Sequence, residues 1–233
     1  MLRSTADLAE LVIHATDGNM GSLADIYFDD IHWHVRYFVV DTGHWLPGRL
    51  VLISPASVAS ADATGRQLNV TLTKQQVEQS PGIETHETVS RQHEMHMSKY
   101  YGWPVYWPAE GALAPDTDEP QPGDANLRGA GEVRGYHVHA QDGDLGHVAD
   151  FLIDETTWDV RYLVVDTGKW LPGKKVLVDP RAADRIDWAK STVHVHLTKD
   201  QIKNLPTYDP SGAREALDKA HIETFQHWPT YWY

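Results

Sequence analysis

An internal repeat constrains this chain more than any other feature of its sequence. The run VRYFVVDTGHWLPG at 35–48 returns as VRYLVVDTGKWLPG at 160–173, a separation of 125 residues. At the same separation and without a gap, residues 14–55 are identical to residues 139–180 at 24 of 42 positions. This level of self-similarity indicates that one structural unit has been duplicated. Any fold assigned to one copy must therefore also suit the other.

A short segment of different composition separates the two copies. Residues 108–126 contain four prolines and five acidic residues but no basic residue, which predicts a solvated and extended linker. The chain then divides into a first repeat at 1–107 and a second repeat at 127–233. Each repeat is expected to have a core, at about 8–80 and 133–205, and a helical and aromatic tail, at 90–107 and 213–233.

Each repeat is rich in signals for short strands and tight turns. The runs Val35–Val40 and Val160–Val165 consist largely of β-branched and aromatic residues, which favour strands. Asp-Gly pairs at 17–18 and 142–143 predict hairpin turns, and Leu-Pro-Gly-Arg at 46–49 predicts a type II turn. These signals predict a mainly β fold in which each repeat closes into a small antiparallel barrel without free sheet edges.

Short helices are expected after the strands of each repeat. Thr73 and Thr198 are placed to cap helical turns at Lys74–Val77 and Lys199–Ile202, each of which ends before a proline. A longer helical stretch at Ser90–Tyr101 is expected to begin the first tail.

Beyond these signals, particular residues recur in the same order in both copies. In the first copy they are Gly18-x-x-Gly21-x-x-x-Asp25, Asp29, Trp33, Arg36-Tyr37-Phe38-Val39-Val40-Asp41-Thr42-Gly43 and Val51-Leu52-Ile53-Ser54-Pro55. The matching series runs from Gly143 to Pro180. These residues resemble the PRC-barrel domain, a family that includes the cytoplasmic domain of the photosynthetic reaction-centre H subunit and the C-terminal domain of the ribosome-maturation factor RimM. The tail at 101–104, Tyr-Gly-Trp-Pro, is similar to that of the stand-alone bacterial members.

The resemblance implies two tandem, six-stranded barrels of the PRC type, each with a short helical and aromatic C-terminal tail. It also implies an interaction module that is not an enzyme and needs no cofactor, because members of the family act mainly by binding other proteins. A link to photosynthesis or electron transfer is implied by the resemblance alone.

Charge and composition exclude several classes of function. The net charge is −13, which disfavours nucleic acid as a partner, and much of the excess negative charge lies in the linker. The chain has no cysteine, which excludes disulfides, thiolate metal sites and a cysteine nucleophile. The sequence contains no run of about eighteen apolar residues, so no membrane span is predicted. The N-terminal residues do not resemble a signal peptide. We therefore expect a cytoplasmic protein.

The repeated Asp-Thr-Gly sequence leaves an enzymatic alternative open. An aspartic protease brings together two such loops, here at Val39–Gly43 and Val164–Gly168, so that their carboxylates share a proton. In this chain each loop leads directly into Trp-Leu-Pro-Gly, a tight turn, and the second repeat has no glycine between Gly173 and Gly212 to form the supporting strand of a protease lobe. A structural turn is the favoured interpretation, and an aspartyl hydrolase using Asp41 and Asp166 is the alternative.

Fourteen histidines raise a second alternative, a protein that binds a metal or a small ligand. His32-x-His34, His137-x-His139 and His194-x-His196 place two imidazoles on one strand face, and His93-x-x-His96 places two on one helix face. Either arrangement suits zinc or nickel. Most of these histidines have no histidine at the aligned position of the other repeat, so we expect no metal site.

Aromatic residues provide the candidate binding surface. Eight of the nine tryptophans form aligned pairs, and those at 33 and 158 are expected to pack locally. Trp45 and Trp170 each open a tight turn and are better placed to be exposed. The aromatic tails are expected to dock on their own barrel, on the other repeat or on a partner. The candidate binding residues are the turn residues Trp45, Leu46, Pro47, Trp170, Leu171 and Pro172 and the tail residues Trp103, Tyr106, Trp107, Trp228, Tyr231 and Trp232.

Two arginines lie inside apolar strands and need carboxylate partners. Arg36 and Arg161 are aligned, and a buried arginine is stable only when it is paired. The recurring aspartates predict structural ion pairs, formed with Asp25 and Asp150 or with the later pair at 29 and 154. The sequence as a whole predicts a non-enzymatic scaffold whose partner is another protein or a second copy of itself in a dimer.

Overall fold

The computed structural model describes residues 2–9, 11–62, 66–80, 91–106 and 127–209. The predicted linker and the second aromatic tail lie outside these residues. The strands of the first repeat are β1 (Leu2–Ser4), β2 (Val12–Ala15), β3 (Gly18–Asp29), β4 (His34–Asp41), β5 (Leu50–Ile53), β6 (Val58–Ala61) and β7 (Gln67–Val70). Those of the second are β8 (Leu127–Gly129), β9 (His137–Ala140), β10 (Gly143–Asp154), β11 (Val160–Asp166), β12 (Lys175–Val178), β13 (Ala183–Asp187) and β14 (Thr192–Val195). The helices are α1 (Thr5–Leu8), α2 (Lys74–Glu78), α3 (Arg91–Tyr101), α4 (Ala130–Val133) and α5 (Lys199–Lys203).

The two repeats form two sheets with the same strand order. One sheet follows the order β5-β4-β3-β2-β7-β6, and the other follows β12-β11-β10-β9-β14-β13. In each sheet one central pair is parallel, β2 with β7 and β9 with β14. The prediction of a mainly β fold is confirmed, and the two sheets share one strand order.

The sheets differ from the predicted six-stranded barrels in two respects. Each contains a seventh strand, because β8 pairs with β3 and β1 pairs with β10. In the described residues the end strands of each sheet do not pair with each other, so the sheets are not closed into barrels. The chain between the end strands of each sheet turns through a short 3₁₀ helix that begins with a proline, Pro55–Ser57 or Pro180–Ala182. A proline has no amide hydrogen to extend a strand ladder, and this favours the break.

The described residues group into two compact units. Unit 1 consists of the described parts of Met1–Leu8, His32–His34 and Ala130–Tyr233, and unit 2 of those of Ala9–Ile31 and Val35–Gly129. Each unit therefore combines the main part of one repeat with the N-terminal segment of the other. No helix among the described residues is long and apolar enough to cross a membrane.

Local signals in the sequence are realised in both units. Thr73 accepts a hydrogen bond from the Gln76 amide, and the Gln76 side chain accepts one from the Thr73 amide, which is a complete capping box. Thr198 and Gln201 form the same box at the start of α5. α3 confirms the helix predicted for the first tail.

Candidate functional site

The Asp-Thr-Gly sequences begin two turns of matching geometry, turn 1 (residues 41–49) and turn 2 (residues 166–174). In turn 1 the Asp41 carboxylate accepts a hydrogen bond of 2.8 Å from the Gly43 amide. The buried Thr42 hydroxyl is shared between the carbonyl oxygens of Leu46 and Arg49, at 2.7 and 2.8 Å. Turn 2 repeats these bonds from Asp166 and Thr167, with distances of 2.8 to 2.9 Å. The turns are therefore held rigidly by their own side chains.

Each turn closes with the predicted type II geometry. The Arg49 amide donates to the Leu46 carbonyl at 3.2 Å, and the Lys174 amide donates to the Leu171 carbonyl at 3.1 Å. Gly48 and Gly173 follow the prolines with φ of 73° and 74°, a conformation that favours glycine. The prolines are consequently fixed at the outer surface of both turns.

Another glycine in each repeat lets the turn approach the neighbouring long strand. A Cβ atom at Gly21 would overlap the carbonyl oxygen of Asp41, and one at Gly146 would overlap that of Asp166. The second glycine of Gly-x-x-Gly therefore has a steric role, because it lets the start of the turn lie against β3 or β10.

The structure places all six predicted turn residues at the surface of turns 1 and 2. Trp45 and Leu46 are half-buried and Pro47 is exposed, and the aligned residues of turn 2 show the same pattern. The Trp45 indole donates to the Met20 carbonyl at 2.5 Å, and the Lys74 ammonium lies 4.7 Å from the centre of its ring. These contacts fix the indole in one orientation while leaving part of it accessible.

Residues 126–202 match the family model of the PRC-barrel domain. The second repeat, as far as residue 202, is thus similar to the PRC-barrel domain. An uncharacterized protein of Deinococcus radiodurans is 38% identical over 88 residues, which make up 36% of this chain and 31% of that relative. The similarity thus spans less than a third of the length of that relative, and the name of that protein states no activity.

The described part of the first aromatic tail docks on the sheet of its own repeat. Trp103 is 9% exposed, and its indole donates to the Ser57 hydroxyl at 2.7 Å and stacks on the ring of Tyr101 at 4.3 Å. Tyr106 lies beneath the Arg36 guanidinium, which is 3.8 Å from the centre of its ring. The other predicted tail residues, Trp107, Trp228, Tyr231 and Trp232, lie outside the described residues.

A buried carboxylate that the sequence analysis missed fastens this tail. Glu94 of α3 is fully buried and accepts hydrogen bonds from the hydroxyls of Tyr37 and Tyr106, at 3.0 and 2.6 Å. Its spacing from the buried Met97, three residues later on the same helix face, is the signal that places Glu94 toward the core.

The two strand arginines form ion pairs with the later aspartates, and Arg161 lies even closer to Asp159, which was not predicted. Arg36 donates to the buried Asp29 at 2.6 Å. Arg161 lies 3.3 Å from Asp159 and 3.6 Å from Asp154. The strand register explains why Arg161 pairs with Asp154 and not with Asp150. Val160, next to Arg161, lies opposite Ile153, next to Asp154, whereas Asp150 lies opposite Val164, three residues beyond Arg161.

The earlier aspartates, Asp25 and Asp150, have other partners. Asp25 accepts a hydrogen bond from the amide of Ile26, and Asp150 accepts one from the amide of Phe151, each at 2.8 Å. Asp150 also accepts from the amide of Thr5 at 3.1 Å. Both carboxylates thus accept hydrogen bonds from backbone amides.

Two histidines of unit 1 bond to aspartates, and one of them also lies beside a third histidine. His34 bonds to Asp159 at 2.8 Å and His139 to Asp144 at 2.9 Å, through Nδ1 in both cases. The rings of His139 and His194 are 5.7 Å apart, and burial, helped by the Arg185 guanidinium, lowers the pKa of His194. Within the described part of the chain, no three histidine or acidic side chains are grouped to hold a metal ion. The side chain of His93 lies outside that part.

Proposed function

We propose that this chain is a non-enzymatic protein-interaction module built from two PRC-barrel domains, of which the first repeat is one. The shared strand order and the 24 identities over residues 14–55 support extending the family to the first repeat. The observation that carries the proposal is that both repeats hold a Trp-Leu-Pro surface on a rigid turn. Its partner would be a protein in the cytoplasm, and the resemblance to the reaction-centre H subunit makes an electron-transfer assembly one such partner.

Rigidity is the physical argument for a binding role. Immobilising a flexible side chain on binding costs about 0.5–1.5 kcal/mol, and a turn already fixed by its own hydrogen bonds avoids much of that cost. Tryptophan is also enriched among the residues that dominate protein interfaces. The half-buried Trp45 and Trp170 thus have the character of anchors, while Pro47 and Pro172 complete the exposed surface.

The two turns differ in charge, which suits different surfaces of one partner. Turn 1 has Arg49, whose guanidinium donates to the carbonyls of Glu78 and Ser80. Turn 2 carries Lys169 and Lys174, both exposed, and Lys175 follows it. Turn 2 therefore favours an acidic surface more than turn 1 does, although it contains the same Trp-Leu-Pro sequence.

The experiment compares capture by the full chain and by turn variants. Full-length protein is immobilised, exposed to extract of the source organism, and the captured proteins are quantified by mass spectrometry. Trp170→Ser combined with Pro172→Ser should reduce capture of the specific partner at least about tenfold. Asp200→Asn, an exposed change on α5, is the matched control and should leave capture unchanged. Equal capture by all three proteins would contradict the proposal.

A peptidase assay distinguishes the enzymatic alternative. Asp41 and Asp166 accept hydrogen bonds within their own turns, which supports a structural role for both carboxylates. We expect no peptide cleavage by the full chain at acidic pH. Pepstatin-sensitive cleavage that disappears in Asp41→Asn would replace the interaction module with an aspartyl hydrolase.

A further inference from the structure

The seventh strand of each sheet is an exchanged segment. β1 pairs antiparallel with β10, with Leu2, Arg3 and Ser4 opposite Asp154, Ile153 and Leu152. At the aligned positions, β8 pairs antiparallel with β3, with Leu127, Arg128 and Gly129 opposite Asp29, Phe28 and Tyr27. Each repeat therefore gives its N-terminal strand to the sheet of the other repeat.

The same recognition chemistry occurs in both exchanged pairs. Arg3 binds Glu155 at 2.9 Å, and Arg128 binds Asp30 at 3.2 Å. The two arginines are aligned, as are the two acids. Both arginine residues are buried, so their charge requires the acid that the other repeat supplies. Each acceptor edge thus recognises a Leu-Arg segment through a backbone ladder and one carboxylate.

Within unit 1 the segment makes two further kinds of contact. Leu2 enters an apolar cluster of this unit, and the other buried members of that cluster are Leu152, Tyr162, Val164 and Leu177. The amide and the hydroxyl of Thr5 both donate to the buried Asp150. Ala130 stands at the position aligned with Thr5, so the hydroxyl contact belongs to unit 1 alone. The edge of β10 is therefore a specific site for residues 2–8 rather than a general strand edge.

We propose that this edge of β10, with Glu155 and Asp150, is a strand-accepting site that takes the N-terminal segment of a second copy of this chain. The segment is covalently joined to the first repeat, whereas the site belongs to the second repeat. Exchange within one copy and exchange between two copies consequently form the same bonds, and effective concentration sets the balance. Antiparallel strand addition of this kind is a common mode of peptide recognition. The site includes no residue of turn 1 or turn 2.

Charge reversal on the full chain provides the test. Arg3→Glu places two acids together within one copy, and Glu155→Arg places two cations together. In an equimolar mixture, exchange between one copy of each variant restores two opposite-charge pairs. Native mass spectrometry of the mixture should show a heterodimer at least about tenfold more abundant than either homodimer. The chain carrying both substitutions regains its internal pair and should match the wild-type protein in mass and stability.

A labelled peptide of residues 1–9 provides a second measurement that does not depend on dimer assembly. In the Arg3→Glu protein the introduced carboxylate and Glu155 have like charges, which should weaken binding of its own segment. The wild-type peptide should bind this protein at least about tenfold more tightly than a peptide carrying Arg3→Glu does. If the Arg3→Glu protein is poorly folded by circular dichroism, the wild-type peptide should restore its β signal. Absence of the heterodimer, or equal effects of the two peptides, overturns the proposal. The turns are unaltered in these variants, so this outcome leaves the proposed partner binding standing.

Discussion

Arg36 and Arg161 occupy aligned positions in two nearly identical strands, but their surroundings differ. The Arg36 side chain is 14% exposed, binds Asp29 at 2.6 Å and covers the ring of Tyr106. The Arg161 side chain is 29% exposed, and its nearest carboxylates are 3.3 and 3.6 Å away. Part of the difference arises at the start of the strand, because position 34 is a histidine in the first repeat and the aligned residue, Asp159, is an acid.

The comparison shows how duplication allows identical residues to take different roles. Asp159 binds both His34 and Arg161, so in the second repeat the guanidinium belongs to a half-buried network. In the first repeat the guanidinium neutralises a carboxylate that is almost inaccessible to water. The identical motif therefore gives both repeats the same strand. The residues around each arginine determine how much its ion pair contributes to stability.

The largest expected difference follows from removing each arginine. Arg36→Met leaves Asp29 buried without its guanidinium, and the free energy of unfolding should fall by about 3–5 kcal/mol. Arg161→Met removes a half-buried pair with longer contacts and should cost less, about 1 kcal/mol. Urea denaturation followed by tryptophan fluorescence measures both values. Similar losses in the two variants would show that the two sites are energetically equivalent, contrary to their burial.

The steric role of the second motif glycine should be equal in the two repeats. Gly21→Ala and Gly146→Ala each force a Cβ atom against a carbonyl oxygen, and each should cost about 3 kcal/mol. Gly18→Ala is the matched control, since a Cβ atom there meets no atom within 4 Å. A control that is as destabilised as the Gly21→Ala protein would assign the effect to backbone strain instead of the close approach.

Removing a helix cap should have a smaller effect, which is again expected to be equal in the two repeats. Thr73→Ala and Thr198→Ala each remove one capping box, and each should lower the free energy of unfolding by about 1 kcal/mol. Thr→Ser at the same positions keeps the hydroxyl and should restore most of the loss. Unequal effects would indicate that one of the short helices is stabilised mainly by its tertiary contacts.

The features that were predictable from the sequence are those with local signals. The type II turns follow from Pro-Gly pairs, and the caps follow from a threonine three residues before a glutamine. The turn residues at 45–47 and 170–172 were placed at a surface by the same local argument. These features depend on neighbours within a few positions, so one sequence is enough to recognise them.

The exchanged strands were not predictable because their signal is too short and their partners are distant in sequence. Leu2–Ser4 has three residues, too few to show a period of two, and it pairs with a strand that lies about 150 positions later. The pairing of Arg36 with Asp29 instead of Asp25 depends likewise on strand register, which cannot be deduced from composition. Glu94 was overlooked because charged residues are rarely fully buried, although its place on the buried face of α3 was visible.

The smallest expected effect concerns the acid that distinguishes the two repeats. Burial alone would raise the pKa of Asp159, but hydrogen bonds from His34 and Thr157 and the Arg161 charge outweigh it, so this pKa lies below the ordinary value of 3.8. As the pH falls toward that value, the unfolded chain takes up the proton first, and the stability contributed by the carboxylate is lost. Asp159→Asn should therefore lower the melting temperature slightly at pH 7 and progressively less toward pH 3. The control Asp200→Asn should show no such convergence. A difference between wild type and Asp159→Asn that stays constant from pH 7 to pH 3 would mean that the charge of Asp159 does not stabilise this network.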